Sequence, residues 1–373
     1  MPPWNVLMLV FLSLHSQAQA MDSLPTNSSM VEVNAFLERY FTKSNSTTLP
    51  EWLNALPNEA EKKEMKRLLT SLWYLDSFDI VTEDVMKDYL LLKRVVTISV
   101  VKGQFCVIHE LIPEEEQELF PRMWGYTAIT AKGSVQREIH HSAAHFDSEG
   151  PVFTQAAALF ENTMSRSLAA AGASRYAVKG HNPSDCQAGF EIADAAHNSR
   201  TMFHWVNTVL RDLAEEECKG KENGDHFFVQ WHGMAENSCP ASDVFLSAGI
   251  HNSSIYDSNI PVKRMKDSFN RLASAYGLKA STPKEDANCK LTAANNVFGR
   301  YVNGVSGEEV CSTPAIEENV TGRFAHIEQK AASRENISLW TAVILDAFPN
   351  SQSHICFSSI FVLFVVSVLI FCP

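Results

Sequence analysis

Several features that mark common protein classes are missing from this chain of 373 residues. It has no Cys-x-x-Cys pair, which excludes the usual cysteine zinc sites and dithiol redox motifs. It has no Gly-x-Ser-x-Gly, and neither Ser142 nor Ser306 has the context of a nucleophile turn, so a serine hydrolase is disfavoured. Positive charge is also scarce: 31 Lys and Arg against 43 Asp and Glu give a formal net charge of −12, which argues against nucleic acid as a partner.

The first twenty residues carry no Lys or Arg, but they have the other marks of a secretory signal. Their apolar run, from Val6 to Leu14, is too short to cross a membrane. Ala18 and Ala20 are small residues at the two positions that a signal peptidase reads. We therefore predict that residues 1–20 are a signal peptide.

The other end of the chain has a second apolar run, Ile355 to Cys372, with no basic cluster after it. A polar stretch of small residues precedes this run, and the combination is typical of a GPI-attachment signal. A single-pass membrane tail is the alternative for residues 349–373. Either reading predicts a mature protein held at the extracellular face of the cell membrane, and we favour the GPI anchor.

Glycosylation and disulfide formation are both expected of a secreted chain. The sequence has five Asn-x-Ser/Thr sequons, at Asn27, Asn45, Asn252, Asn319 and Asn336. Two of the eight cysteines lie in the C-terminal apolar run, and the other six are Cys106, Cys186, Cys218, Cys239, Cys289 and Cys311. Six cysteines allow up to three disulfides, whose pairing cannot be deduced from the sequence.

Hydrophobic periodicity divides the chain near residue 92. Residues 21–92 have apolar residues at helical spacing, for example from Glu59 to Leu75, and no cluster of ligand-like side chains. Residues 93–348 alternate Val/Ile-rich strands with amphipathic helices such as Thr201 to Glu217. We predict an α/β domain with a mixed, mostly parallel sheet flanked by helices, preceded by a helical extension. Ligands of such sheets bind outside the carboxyl ends of the strands.

Groups that bind metals or move protons follow three of the predicted strands. The first strand leads into ten residues that hold five such side chains: His140, His141, His145, Asp147 and Glu149. The second strand, F-F-V-Q-W, ends in His232 and a glycine, and the third, F-A-H-I-E-Q, carries Glu328 with His326 two residues before it. Two or three such ligands with an open position suit Zn²⁺, and a remaining glutamate suits a general base.

The residues leave several alternatives open. We expect His141 to be the ligand ahead of His145 and His140, because it lies where the first strand should end. Asp147 is equally suited to capping the next helix or orienting a histidine, and Asp194 with His197 forms either a second pair or a helix-start cap. Two arginines flank a predicted strand, Arg166 and Arg175. One of them could clamp a substrate carboxylate or stabilise an oxyanion, and the alternative is that both are solvated.

Three motifs carry a resemblance to a known family: I-H-H-S-A-A-H…E-G-P-V-F-T-Q-A, F-F-V-Q-W-H-G-M and F-A-H-I-E-Q. They resemble zinc-carboxypeptidase-like (phosphorylase/hydrolase-like) proteins, particularly N-formylglutamate amidohydrolases and poly-γ-glutamate hydrolases, over roughly residues 135–334. The resemblance implies Zn²⁺ held among His141, His145, Glu149 and His232, with Glu328 as general base. Of the two arginines that flank the strand, we place Arg166 at the substrate.

Two departures from the family pattern concern the first ligands and the substrate anchor. His145 and Glu149 are four residues apart where carboxypeptidases have His-x-x-Glu, and the arginine after Glu328 is Arg334, six residues on rather than three.

With this in view, we predict a secreted, membrane-anchored, zinc-dependent amidohydrolase or carboxypeptidase-like enzyme. It would cleave an amide bond near a carboxylate in a small or peptide-like substrate. The alternative is a non-catalytic cell-surface binding protein that retains the fold.

Overall fold

The computed structural model describes residues 23–114, 118–219, 226–251 and 253–349. The predicted signal peptide, the sequon at Asn252 and all but the first residue of the predicted C-terminal signal lie outside these ranges. Within them, no helix combines the length and the apolar character needed to span a membrane.

One sheet of nine strands runs through the described chain. The strands are β1 (Val96–Val101), β2 (Phe105–Glu110), β3 (Tyr126–Thr130), β4 (Arg137–Ala143), β5 (Ser165–Ala170), β6 (Phe227–Gly233), β7 (Val244–Ser247), β8 (Ala280–Ser281) and β9 (Phe324–Gln329). Their order is β1-β2-β3-β5-β4-β6-β9-β7-β8. The central strands β5, β4, β6 and β9 are mutually parallel, and antiparallel pairings join them to β3 and β7. The predicted mixed α/β sheet is confirmed, with its parallel part at the centre.

Helices cover both faces of this sheet. They are α1 (Met30–Glu38), α2 (Leu49–Ala55), α3 (Glu59–Trp73), α4 (Val152–Asn162), α5 (Met202–Glu217), α6 (Pro261–Ala273), α7 (Val297–Val302), α8 (Ala331–Arg334) and α9 (Ile337–Ala347). Each of the first three begins with a capping box, in which a Ser, Thr or Asn cap exchanges hydrogen bonds with the glutamate three residues on. The last part of the predicted helical extension forms two short 3₁₀ turns instead of a helix, Glu83–Asp88 and Leu92–Arg94.

The N-terminal helices share the core of the sheet. Met30 of α1, Leu68 and Trp73 of α3, and Phe105 of β2 belong to one continuous cluster of buried apolar residues. This packing holds the predicted helical extension against the predicted catalytic domain. The boundary near residue 92 stays a prediction.

The alternation of side chains along β6 sorts the candidate residues between the two faces of the sheet. Trp231 packs on Trp340 of α9, whereas Phe228 packs on Phe298 of α7. His232 lies four residues after Phe228 and therefore shares the α7 face. In the parallel pairing with β9, His232 is opposite Glu328, so these two side chains are neighbours on that face.

Two disulfides tie loops of the domain together. Cys186 pairs with Cys311, and Cys239 pairs with Cys289. The first joins the long segment between β5 and α5 to the segment that precedes β9. Cys106 is a buried free thiol. The predicted disulfide bonding is confirmed in two pairs.

Candidate metal centre

Three of the predicted ligands meet where the central strands end. His145 and Glu149 lie on the loop after β4, and His232 lies at the end of β6. The Nδ1 atoms of the two histidines are 3.1 Å apart. The Glu149 carboxylate bridges them, with Oε1 at 2.7 Å from His145 Nδ1 and Oε2 at 3.0 Å from His232 Nδ1. All three side chains are buried, and their donor atoms are close enough to share one metal ion.

The outer nitrogen of each ring is held by an acceptor. His145 Nε2 is 2.9 Å from Oδ1 of Asp194, and His232 Nε2 is 2.9 Å from Oε1 of Gln230. That amide oxygen also accepts a hydrogen bond of 2.5 Å from Asn296. Because both partners accept, each Nε2 carries the proton and each Nδ1 turns a lone pair towards Glu149. Metal-binding histidines are usually oriented by this kind of outer hydrogen bond.

The donor set fits a zinc ion. Two neutral imidazole nitrogens and one carboxylate are ligands that Zn²⁺ accepts, and three protein ligands leave a further position open. Bonds of 2.0–2.2 Å in tetrahedral geometry put neighbouring ligand atoms about 3.3–3.6 Å apart. The observed separations of 2.7, 3.0 and 3.1 Å need an outward shift of only a few tenths of an ångström.

Arg175, from the segment after β5, brings a positive charge to the same place. Its Nη2 donates to His145 Nδ1 at 2.6 Å and makes a very short contact with Glu149 Oε1, and its Nε donates to Ser148. Arg175 is therefore not a solvated arginine, although its side chain keeps 22 % of its surface exposed.

The electrostatic environment shifts the pKa values of the two histidines in opposite directions. Burial opposes a charge on His145, but the carboxylates of Glu149 and Asp194 outweigh it and raise the pKa of His145 to about 9. Burial lowers the pKa of His232 despite the attraction of Glu149. A proton on His145 Nδ1 and the N–H of Arg175 compete for the same gap of 2.6 Å, so only one of these two cations fits there. The short separation favours a neutral ring beside Arg175, because a protonated Nδ1 would face a second donor.

Glu328 lies beside this cluster on β9. It is buried, and burial together with the charge of Glu149 raises its pKa to about 8. Its Oε1 is 3.7 Å from Nε2 of His326, beyond hydrogen-bond distance. His326 in turn stacks on His232, with ring centroids 4.1 Å apart and planes inclined by 31°. His232, His326 and Glu328 are a second group whose ligand atoms are close enough to share one ion. We assign the metal position to the cluster with His145, because its donor atoms lie closer together.

The structure does not bring His141 to the cluster. Strand β4 continues to Ala143, so His141 is inside the strand and points to the opposite face from His232. Its ring is satisfied there, because Trp231 donates to Nδ1 at 3.0 Å and Ser165 lies 3.0 Å from Nε2. The expectation that His141 is the first ligand is corrected in favour of His145, four residues further along.

Arg166 is also away from the cluster. Its guanidinium is buried on the ring of Trp73 at 3.9 Å and donates to the backbone carbonyls of Trp73 and Thr130. It therefore supports the packing of α3 on the sheet, and its predicted place at the substrate is corrected. Arg175 reaches the cluster instead. Asp147 lies outside too, with its carboxylate 3.4 Å from the backbone nitrogen of Ser44.

Sequence reasoning missed Gln230 and named Arg334 without placing it. Gln230 lies two residues before His232, so the period of a strand places both side chains on one face, and this signal was available. Arg334 could not be placed, because it lies on the short helix α8, whose direction depends on the fold. His197 lies three residues after Asp194 in the chain, but its ring pairs with Gln187 and Asn295 instead of entering the cluster.

Comparisons with known proteins found similar solved structures but no matching family. No protein-family model and no curated protein matches this chain. Among solved structures, it is similar to succinylglutamate desuccinalase from Vibrio parahaemolyticus, with 10% identity, a TM-score of 0.30 and coverage of 68% of this chain and 74% of that chain. A gene product of Agrobacterium tumefaciens gives 12% identity, a TM-score of 0.29 and coverage of 57% and 85%. At these values the similarities support no conclusion about activity.

Proposed function

We propose that this protein is a zinc-dependent hydrolase that cleaves an amide bond near a carboxylate in a small or peptide-like substrate. The observation that carries the proposal is the convergence of His145, Glu149 and His232. The two Nδ1 atoms are 3.1 Å apart and each lies within 3.0 Å of one Glu149 oxygen, while Asp194 and Gln230 hold the outer nitrogens. A buried cluster of this kind needs a compensating cation, and a zinc ion among the inner donor atoms would contact all three residues, whereas Arg175 contacts only His145 and Glu149.

The residues of the chain would divide the chemistry between them. Zinc held by His145, Glu149 and His232 would supply Lewis-acid polarisation of the substrate carbonyl and acidify water. Glu328 would accept a proton from the attacking water on its carboxylate and give that proton to the leaving nitrogen. Arg175 and Arg334 bring two positive charges to the edge of the cluster, which supports a substrate with a carboxylate.

The proposed site of action is the extracellular face of the cell membrane. Signal-like residues at the N-terminus, sequons and an apolar C-terminal run support this location. Two disulfides agree with folding in an oxidising compartment. Treating cells with a phosphatidylinositol-specific phospholipase tests the anchor: release of the protein is expected, and retention would favour a membrane tail.

Metal content and turnover test the activity. The ectodomain, purified without chelators, should contain close to one zinc per chain, and less than about a tenth would contradict the proposal. Turnover would then be measured on N-acyl amino acids and on matched amides that lack the carboxylate. Glu328→Gln should lower turnover about 10²–10⁴-fold while the zinc content stays unchanged.

One observation favours a second candidate, a non-catalytic binding protein of the cell surface. The cluster residues are buried, and the guanidinium of Arg175 lies against two of them. A chain that binds zinc stoichiometrically but turns over none of the amides, with no difference between wild type and Glu328→Gln, would support this candidate over the hydrolase.

A further inference from the structure

Two of the three candidate ligands are followed directly by glycine. Glu149 precedes Gly150, and His232 precedes Gly233. The two glycines have different backbone requirements, because Gly150 has a φ of +68° whereas Gly233 has no such restriction. A requirement for left-handed backbone therefore explains only Gly150. Gly233 needs another reason.

Two neighbours supply that reason, the backbone carbonyl of Glu149 and the guanidinium of Arg334. A Cβ atom added at Gly233 would lie 2.4 Å from Nη1 of Arg334 and 2.4 Å from the carbonyl oxygen of Glu149. A Cβ atom added at Gly150 would lie 2.8 Å from Nη2 of the same side chain. All three distances are shorter than real Cβ contacts. The flat guanidinium therefore packs directly on the backbone of the two glycines.

Arg334 also connects these two loops to a third strand. Its Nη1 donates to the carbonyl oxygen of Gln329 at the end of β9, at 3.2 Å. The backbone nitrogen of Gly233 donates to Glu149 Oε2, also at 3.2 Å. The guanidinium thus lies over the junction of the β4 loop, the β6 end and the β9 end, which carry Glu149, His232 and Glu328.

We propose that Arg334 is a positioning residue, which holds the loop of Glu149 and the strand end of His232 at the separation that cation binding requires. This inference rests on the proposed zinc site, and it concerns the backbone that carries the ligands. Removal of the guanidinium would leave Gly150 and Gly233 without the side chain that packs on both of them. The ligand-bearing backbone would then sample more conformations, and the preorganisation of the site would be lost.

Zinc affinity, measured by competition with a chromophoric chelator, tests the proposal. Arg334→Ala and Gly233→Ala should each weaken zinc binding about 10–100-fold, the usual effect of losing support behind a metal ligand. Arg334→Lys keeps the charge but not the plane, and should behave like Arg334→Ala. Arg271→Ala, at an exposed arginine of α6, is the matched control and should bind like wild type.

Different failures have different meanings. Wild-type protein that binds no zinc overturns the proposed function and this inference with it. Wild-type protein that binds zinc, with both Arg334 variants within about threefold of it, overturns only the inference. Full affinity in Arg334→Lys would show that charge alone is sufficient, and a raised KM with unchanged zinc affinity would assign Arg334 to the substrate. Either result overturns the positioning role. If Gly233→Ala does not fold, as judged by circular dichroism, the Arg334 variants decide alone.

Discussion

Strands β4 and β6 carry two groups of histidines on the same face of the sheet, and the two groups have opposite electrostatic character. The metal-site cluster consists of His145, Glu149 and His232, and the histidine pair consists of His140 and His226. In the pair, His140 stacks on Phe228, with Nδ1 2.7 Å from Ser167 Oγ and Nε2 2.9 Å from His226 Nδ1. Burial and the neighbouring His226 hold the pKa of His140 well below its usual range.

The difference between the two groups lies in the carboxylates. In the metal-site cluster, Glu149 and Asp194 contact His145 within 2.9 Å, whereas the carboxylate of Glu138 is 3.5 Å from His226. A buried imidazole beside a hydroxyl is stable when neutral. A buried imidazole beside two carboxylates requires positive charge, from a proton or a metal. A buried histidine alone therefore does not indicate a metal site. The carboxylates that contact its ring do.

The largest expected effect comes from removing one carboxylate from each group. Glu149→Gln deletes a ligand and its charge, so zinc affinity should fall about 10³-fold, as expected if the binding free energy of a structural-type site is shared among a few ligands. Glu138→Gln should leave zinc affinity unchanged. Competition titration of both variants measures this, and an equal loss in the two would remove the distinction between the groups.

A smaller effect is expected from the support of His145. Asp194→Asn keeps the shape but removes the charged acceptor of Nε2, and should weaken zinc binding about 10–100-fold. Asp185→Asn, an exposed carboxylate of the same segment that pairs with Arg200, is the control and should have no effect. Isothermal calorimetry with zinc measures both. Wild-type affinity in Asp194→Asn would mean that the outer hydrogen bond does not orient the ring.

Substitution of the two arginines near these groups should affect zinc affinity differently. Arg175→Ala removes a cation that competes with zinc for His145 and Glu149, so zinc affinity should rise about tenfold. The metal-free protein should become less stable, because Glu149 loses a partner. Arg166→Met should leave zinc affinity unchanged but lower the free energy of unfolding by about 2–4 kcal/mol, since it frees two buried carbonyls. Weaker zinc binding in Arg175→Ala would contradict the competition.

The smallest expected effect is a change in pH dependence at the histidine pair. The folded pKa of His140 is depressed, so its contribution to stability is complete above the unfolded pKa of about 6.5 and is lost as the pH falls below it. His140→Gln should reduce the slope of the unfolding free energy below pH 6.5 by up to about 1.4 kcal/mol per pH unit. Urea unfolding between pH 7 and 4 measures it, and an unchanged slope would mean that His140 does not remain neutral.

Periodicity predicted the strands and therefore the edge of the sheet where the site lies. The strand ends at His232 and Glu328 follow directly from apolar runs that stop, so these residues could be placed correctly. His141 and His145 could not be ranked, because the answer depends on whether β4 ends at residue 141 or 143. A difference of two residues there moves the start of the loop, and boundaries depend on tertiary pairing with β5 and β6.

The arginines show what local patterns cannot reveal. Arg166 and Arg175 flank one strand, and nothing in their sequence context distinguishes a buried support for Trp73 from a side chain that returns to Glu149. Arg175 reaches the cluster through an irregular segment without a period. Backbone hydrogen bonds on both sides of Arg175, from Ser174 to Thr42 and from Asn45 to Tyr176, hold this segment, and they become visible only in three dimensions.

The order in which the site can form follows from the spacing of its ligands along the chain. His145 and His232 are 87 residues apart, and their strands meet only through the long-range parallel pairing of β4 with β6. Closing such a loop costs entropy before any contact repays it. Zinc affinity would therefore develop late in folding, after the centre of the sheet is assembled. Zinc binding would then draw the folding equilibrium towards the finished domain, since the unfolded chain offers no preformed site.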